Sequence, residues 1–170
     1  MFLDVHDLER QGIALDQIIP AGRIDFGDDV RQVEPLEVHG WAELVATEIR
    51  LRGSFQTAVE VSCARCLERT HRPVAMDFDL FYRPIQTISR NEEVEMKGED
   101  LDIGFYHGDG LMLEDALHEQ ILLALPIKNI CRDDCAGLCP RCGQNLNLGP
   151  CACPTAPADV RWAPLARLKR

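Results

Sequence analysis

The chain has 170 residues, of which 46% are hydrophobic, and its formal net charge is −10. This length and apolar content suit one folded domain with a small appendage, and no stretch approaches the roughly 18 continuous apolar residues of a membrane span. The acidic charge argues against a protein that binds nucleic acid over much of its surface, but it allows a local basic patch or a basic protein partner.

The N-terminal 34 residues carry little periodic pattern. Phe2 to Val5 predicts a strand, whereas Asp16 to Ala21 and Gly27 to Asp29 are typical of loops. The start of the chain has acids where a signal peptide has a basic segment, and it lacks the Arg-rich composition of a transit peptide. A cytoplasmic protein is therefore expected.

Residues 35–83 alternate between apolar and polar side chains, as half-buried strands do. Four consecutive stretches share this period, with the apolar sets Leu36, Val38, Ala42 and Leu44; Ile49 and Leu51; Phe55, Thr57, Val59 and Val61; and Val74, Met76, Phe78, Leu80 and Tyr82. Consecutive strands with short breaks predict an antiparallel meander with one face in water.

The next two segments predict a loop and a helix. Residues 84–110 are acidic and poorly patterned, which predicts a solvated loop with one or two short strands. Residues 111–125 predict the main helix, because their apolar side chains share one face and Pro126 would end it; these are Leu113, Ala116, Leu117, Ile121, Ala124 and Leu125. We expect this face to pack on the sheet and His118 to face solvent.

The pattern divides the chain into three parts. Residues 1–130 form a predicted α+β domain, in which a β meander is packed by one main helix. Residues 131–158 form a small cysteine-rich module similar to a zinc ribbon. Residues 159–170 form a basic segment, expected to dock back on the body through apolar side chains at helical spacing; these are Trp162, Leu165 and Leu168.

Eight cysteines form four short-spaced pairs: Cys63 and Cys66, Cys131 and Cys135, Cys139 and Cys142, and Cys151 and Cys153. The cytosol keeps thiols reduced, so that such pairs indicate metal binding rather than disulfides. Tetrahedral zinc needs four ligands, and two pairs make one site. The sequence therefore predicts two Zn²⁺ ions with no cysteine left over.

The order of the pairs suggests how they combine. The last four cysteines are local and predict one ribbon-like site of Cys139, Cys142, Cys151 and Cys153. The other site would then join Cys63 and Cys66 to Cys131 and Cys135, linking the sheet to the end of the helix. A redox centre is disfavoured because Cys63 continues a strand rather than starting a helix. A non-enzymatic iron–sulfur cluster is the remaining metal alternative, since Cys135, Cys139 and Cys142 have its spacing.

Several of these motifs resemble the YceD family, whose members are named for large ribosomal RNA subunit accumulation. The similar segments are Cys63–Leu67, Glu119–Pro126, Gly137–Asn147, Cys151–Cys153 and Arg161–Lys169. The resemblance implies a cytoplasmic bacterial protein that acts in 23S rRNA accumulation and large-subunit biogenesis. It also agrees with the division of the cysteines, because some members lack the last four.

The resemblance supplies no mechanism, and three hypotheses remain. The first is an assembly factor that contacts the large-subunit precursor through 23S rRNA, a basic ribosomal protein or both. Candidate contacts are the basic residues near the cysteines and at the C-terminus, namely Arg65, Arg69, Arg141, Arg161, Arg167, Lys169 and Arg170. The second is a structural zinc adaptor that binds a basic protein without touching RNA. An enzyme is least expected, because zinc held by four thiolates has no open position and no catalytic motif or small-molecule site is evident.

Overall fold

The computed structural model describes residues 1–85, 103–154 and 161. Two helices and nine strands are found in this part of the chain. In chain order they are β1 (Phe2–Asp4), α1 (Val5–Arg10), β2 (Ile13–Ala14), β3 (Gln17–Ile19), β4 (Val30–Gln32), β5 (Leu36–Val45), β6 (Glu48–Ser62), β7 (Arg69–Pro84), β8 (Ile103–Tyr106), β9 (Gly110–Met112) and α2 (Leu113–Ala124).

Three long antiparallel strands, β5, β6 and β7, form the centre of the main sheet. They contain all four predicted stretches of alternating residues, because two of these stretches belong to the single strand β6. The apparent break lies at Gly53, which faces Gly40 across the β5–β6 pair. A Cβ added at Gly53 would lie 2.2 Å from the carbonyl oxygen of His39, so the close approach of the strands requires glycine here.

The edges of the sheet differ from the predicted meander. The short strands β2 and β3 pair with β5, and β4 pairs with β6. The loop predicted at Asp16 to Ala21 is wrong in part, since it contains β3. Strand β8 pairs with β7 in parallel, so the sheet is mixed rather than wholly antiparallel. The strands β1 and β9 form a separate antiparallel pair.

The core lies between the inner face of the sheet and α2. The buried residues of α2 are Leu113, Ala116, Leu117 and Ile121, as the apolar face predicts, whereas Ala124 is exposed at the end of the helix. The histidine expected in solvent, His118, is instead half-buried, and its ring stacks on Phe26 with 5.0 Å between centroids. Leu3 in β1 belongs to this core, and Leu8 and Leu15 extend it beyond the predicted strands.

The α+β body positions the cysteines through its longest hairpin. Strands β6 and β7 remain paired from Ile49 opposite Tyr82 to Ser62 opposite Arg69. The turn at this end contains Cys63 and Cys66, and the chain after α2 returns to it. Of the predicted C-terminal segment, only Arg161 lies within the described residues, and most of the acidic segment lies outside them. Among the described helices, none is long and apolar enough to cross a membrane.

Candidate metal centres

The turn between β6 and β7 points two thiols toward one position. The Cys63 amide donates to the carbonyl oxygen of Glu68 at 2.8 Å, and the Leu67 amide donates to the carbonyl oxygen of Cys63 at 3.0 Å. This closure requires left-handed backbone at Leu67, where φ is 62°. We call the turn of residues 63–68 the first knuckle.

The segment after α2 is fixed to the hairpin by a buried amide side chain. Asn129 Nδ2 donates to the carbonyl oxygens of Val61 and Ser62, both at 3.1 Å, and to Thr70 Oγ1 at 2.7 Å. Its Oδ1 accepts from Arg72 Nε at 2.8 Å. These bonds satisfy a side chain that is only 5% exposed, and they bring the following cysteines onto the first knuckle.

The first cluster consists of Cys63, Cys66, Cys131 and Cys135, whose sulfur atoms all lie within 4.8 Å of one another. Cys63 Sγ lies 3.9 Å from Cys135 Sγ, and Cys66 Sγ lies 3.7 Å from Cys131 Sγ. Four sulfurs held at about 2.3 Å from one tetrahedral zinc ion are themselves about 3.8 Å apart. The spacing of these thiols therefore fits a tetrahedral ion.

A second turn, residues 139–144, repeats the first. The Cys139 amide donates to the carbonyl oxygen of Gln144 at 2.8 Å, and the Gly143 amide donates to the carbonyl oxygen of Cys139 at 2.9 Å. Gly143 takes the left-handed position with φ of 73°. We call this turn the second knuckle; it contributes to the second cluster, whose sulfurs also lie within 4.8 Å and belong to Cys139, Cys142, Cys151 and Cys153.

Backbone amides favour the thiolate form of the first cysteine in each knuckle. The amide of Cys66, helped by those of Arg65 and Cys131, lowers the pKa of Cys63 to about 6. The amides of Cys142 and Arg141 lower the pKa of Cys139 to about 6. Thiolates are the form that binds metal. Each cluster of four cysteines can therefore hold a metal ion.

The comparison with protein families decides what the chain is related to. A model described as "Large ribosomal RNA subunit accumulation protein YceD" matches residues 51–169, which is more than half of the chain. The chain belongs to the YceD family. The match covers β6 from Leu51 onward, β7, α2 and both cysteine clusters.

Relatives of this YceD-family chain occur in mycobacteria and plants. Uncharacterised proteins of Mycobacterium tuberculosis and Mycobacterium bovis are 28% identical over 165 residues, covering 96% of this chain and 70% of the relative. The Arabidopsis thaliana protein "Large ribosomal RNA subunit accumulation protein YCED homolog 1, chloroplastic" is 26% identical over 151 residues, covering 72% of this chain and 44% of the relative. No solved structure gives a significant match.

The basic residues predicted as contacts fall into two groups. Arg65 Nη1 donates to the carbonyl oxygen of Cys135 at 2.9 Å, and Arg69 donates to those of Asp28 and Asp29 at 2.8 and 3.0 Å. These two guanidinium groups hold the protein's own backbone. Arg141 and Arg161 are exposed, as Arg65 and Arg69 also are, and the other three candidates, Arg167, Lys169 and Arg170, lie outside the described residues.

Two important amide side chains were absent from the sequence prediction. Asn129 is buried although it directly follows the charged Lys128, and no local sequence pattern marks it as buried. Asn147 donates to Cys135 Sγ at 3.3 Å, although it lies in the chain between two cysteines of the other cluster. No local sequence pattern predicts that second contact.

Proposed function

We propose that the chain is a non-enzymatic zinc-binding factor in 23S rRNA accumulation, and thus in large ribosomal subunit biogenesis. Family membership carries this proposal, because the family is described by that role. The two closed sets of four thiolates support the zinc part. Zinc with four protein ligands has no open position for a reacting water, so both ions would be structural.

The distribution of charge favours the C-terminal part as the surface that meets RNA. Residues 1–125 contain 11 Lys and Arg against 25 Asp and Glu, whereas residues 126–170 contain seven Lys and Arg against three Asp. Phosphate is repelled by the first part and attracted by the second. The chain would therefore approach the precursor with its cysteine module and C-terminal segment.

Within that surface, we assign the RNA contacts to Arg141, Arg161, Arg167, Lys169 and Arg170. Arg65 and Arg69 are assigned to the fold, because their side chains donate to carbonyl groups of the protein. On this proposal, residues 1–130 form the body, residues 131–158 the zinc module and residues 159–170 the basic contact segment. The cytoplasm is the expected compartment.

The test compares two triple variants that change the net charge equally. R167Q/K169Q/R170Q removes charge from the contact segment, and R10Q/R23Q/R31Q removes it from the N-terminal part of the body. Five phosphate contacts to single-stranded RNA give a log–log salt slope of about −3.5, and the two contacts that remain in this variant give about −1.4. We expect R167Q/K169Q/R170Q to flatten the salt slope and to stop cosedimenting with large-subunit precursors in sucrose gradients. R10Q/R23Q/R31Q should behave as wild type in both measurements.

The alternative is an adaptor that binds a basic protein through the acidic body. It would be favoured if both triple variants bound the precursor with the salt dependence of wild type and if binding survived ribonuclease. Loss of cosedimentation after ribonuclease treatment, together with the flattened slope of R167Q/K169Q/R170Q, would support RNA contact through the C-terminal segment.

A further inference from the structure

We propose that the side chain of Asn147 makes metal binding at the first cluster depend on metal binding at the second. This inference rests on the proposed zinc sites and assigns a role to a residue that ligates neither ion. Asn147 lies between Cys142 and Cys151, so its backbone belongs to the loop that the second cluster closes. Its side chain, however, reaches the first cluster.

Three hydrogen bonds place Asn147 on the first cluster. Its Nδ2 donates to Cys135 Sγ at 3.3 Å, and its Oδ1 accepts from the Ala136 amide at 2.8 Å and from Arg132 Nη2 at 3.0 Å. An N–H group that donates to a ligating thiolate orients the sulfur and offsets part of its charge. Asn147 is therefore a positioning residue for Cys135.

Outside the second cluster, a small number of hydrogen bonds hold the loop that carries Asn147. Besides the bonds of Asn147 itself, Asn145 Nδ2 donates to Glu68 Oε1 at 2.9 Å. No residue of the stretch 140–150 is buried, and the side chain of Gln144 reaches only loop carbonyl oxygens at 3.4 and 3.5 Å. The backbone is attached at the base of the loop, where the Leu146 amide donates to the carbonyl oxygen of Gly137 at 2.9 Å. Closing the cysteines at both ends of the loop around one ion reduces its conformational freedom.

A loop closed in this way holds Asn147 ready for Cys135, so the first ion should bind more tightly when the second site is filled. Linkage requires the reverse effect to be equal, because the coupling free energy belongs to the pair of sites. Cys142 of the second cluster is exposed, so metal exchanges more readily there. Through the coupling, the metal affinity of the more buried first cluster then follows the occupancy of the second.

The test is a double-mutant cycle on the full chain, read by cadmium-113 NMR with chelator competition. The two tetrathiolate resonances are assigned from C151S/C153S, which should keep only the resonance of the first cluster. We expect N147L to weaken the first site by about 10–100-fold, as loss of an outer-shell hydrogen bond does, and to shift its resonance. Q144L, in the same loop but without a contact to the first cluster, should leave the affinity and shift of that site unchanged.

The coupling itself is measured by repeating N147L in the C151S/C153S background. There the first site should already be weaker, and N147L should weaken it little further. Equal losses in the two backgrounds, or no effect of N147L in the wild type, would overturn the relay while leaving the zinc sites in place. A wild-type chain without cadmium resonances would overturn both; the ribosomal role is judged separately by the salt slope and the sucrose gradients.

Discussion

The two clusters share one turn but differ in their surroundings. Each knuckle has the same pair of backbone hydrogen bonds and a left-handed residue at the same place. In the first cluster three cysteines are at most 4% exposed, and Ile130 and Leu138 pack against them. In the second cluster Cys142 is exposed, while Cys151 and Cys153 are half-buried.

The clusters also differ in how much chain they join. The first links Cys63 to Cys135, 72 residues away, and so ties the β6–β7 hairpin to the segment after α2. The second joins cysteines that lie within one short stretch of the chain. The same local turn thus takes part in a long-range contact in the first cluster and in a local one in the second. Closing the longer loop restricts the unfolded chain more, so we expect a metal ion in the first cluster to contribute more to the stability of the fold.

The largest expected difference is between the stabilities of C66S and C151S. Structural zinc supplies about 10–16 kcal/mol of apparent binding energy in finger peptides, whereas whole domains have only about 5–15 kcal/mol of stability. C66S should therefore lose most of its cooperative unfolding transition, and C151S should keep it with a lower midpoint. Thermal unfolding followed by circular dichroism measures both. If C66S melted like the wild type while C151S collapsed, the ranking of the two clusters would be wrong.

Metal removal should separate the clusters by rate. A chelator can reach the second cluster through the exposed Cys142, whereas in the first cluster only Cys131 is partly exposed. We therefore expect metal release from the first cluster to require local unfolding. We expect two kinetic phases of about one zinc equivalent each, with rates that differ by at least about tenfold. A colorimetric zinc chelator follows the release. C151S/C153S should lack the fast phase, and a single phase for both ions in the wild type would contradict the difference in access.

Sequence periodicity and cysteine spacing predict much of this arrangement, and the failures have physical causes. The apolar face of residues 111–125 predicts α2, because a helix of this length has a clear period. Strands β2 and β4 have only two and three residues, too few to show a period, and their pairing depends on β5 and β6. The parallel pairing of β8 likewise depends on tertiary contacts.

The cysteine spacing likewise predicts the local features of the sites but not the contacts between distant segments. Short spacing identifies which thiols share a turn, and the structure brings together the same two sets of four sulfurs that spacing suggests. The contact of Asn147 with Cys135 spans 12 residues and joins the loop between Cys142 and Cys151 to a cysteine of the other cluster. Only the three-dimensional approach of these two segments creates it, which is why the sequence alone did not indicate the amide.

A smaller effect is expected at the left-handed residue of each knuckle, which tests whether the two turns are equivalent. Leu67 holds the place that Gly143 holds in the second knuckle, at a backbone cost of about 1–2 kcal/mol for a side chain with a Cβ. Since Leu67 is 63% exposed, L67G loses little burial and should raise the free energy of unfolding by at most about 1 kcal/mol. G143L is the reverse control and should be destabilising. A less stable L67G in urea unfolding of the zinc-loaded chain would show that the leucine side chain supports the first knuckle.

The smallest expected effect comes from removing an ion pair on the sheet. Its pH dependence tests whether the stability lost at low pH comes mainly from the cysteine clusters. Hydrogen bonds from Arg50 lower the pKa of Asp79, with Nε to Oδ1 at 2.8 Å and Nη2 to Oδ2 at 2.7 Å. A lowered carboxyl pKa contributes stability that is fully present above the unfolded value of about 3.9 and is lost as the pH falls through the folded value. Because Asp79 is half exposed, D79N should cost less than about 1 kcal/mol.

That cost should stay constant from about pH 8 to about pH 5, since both pKa values of Asp79 lie below this range. Zinc sites behave differently, because protons compete with metal for thiolates as the pH falls. Urea unfolding of the wild type and D79N, both zinc-loaded, gives the difference at each pH. Any loss of stability that the two share in this range then belongs to groups other than the ion pair, and zinc release measured in the same samples assigns it to the clusters. A difference that shrinks before about pH 5 would mean that Arg50 does not lower the pKa of Asp79.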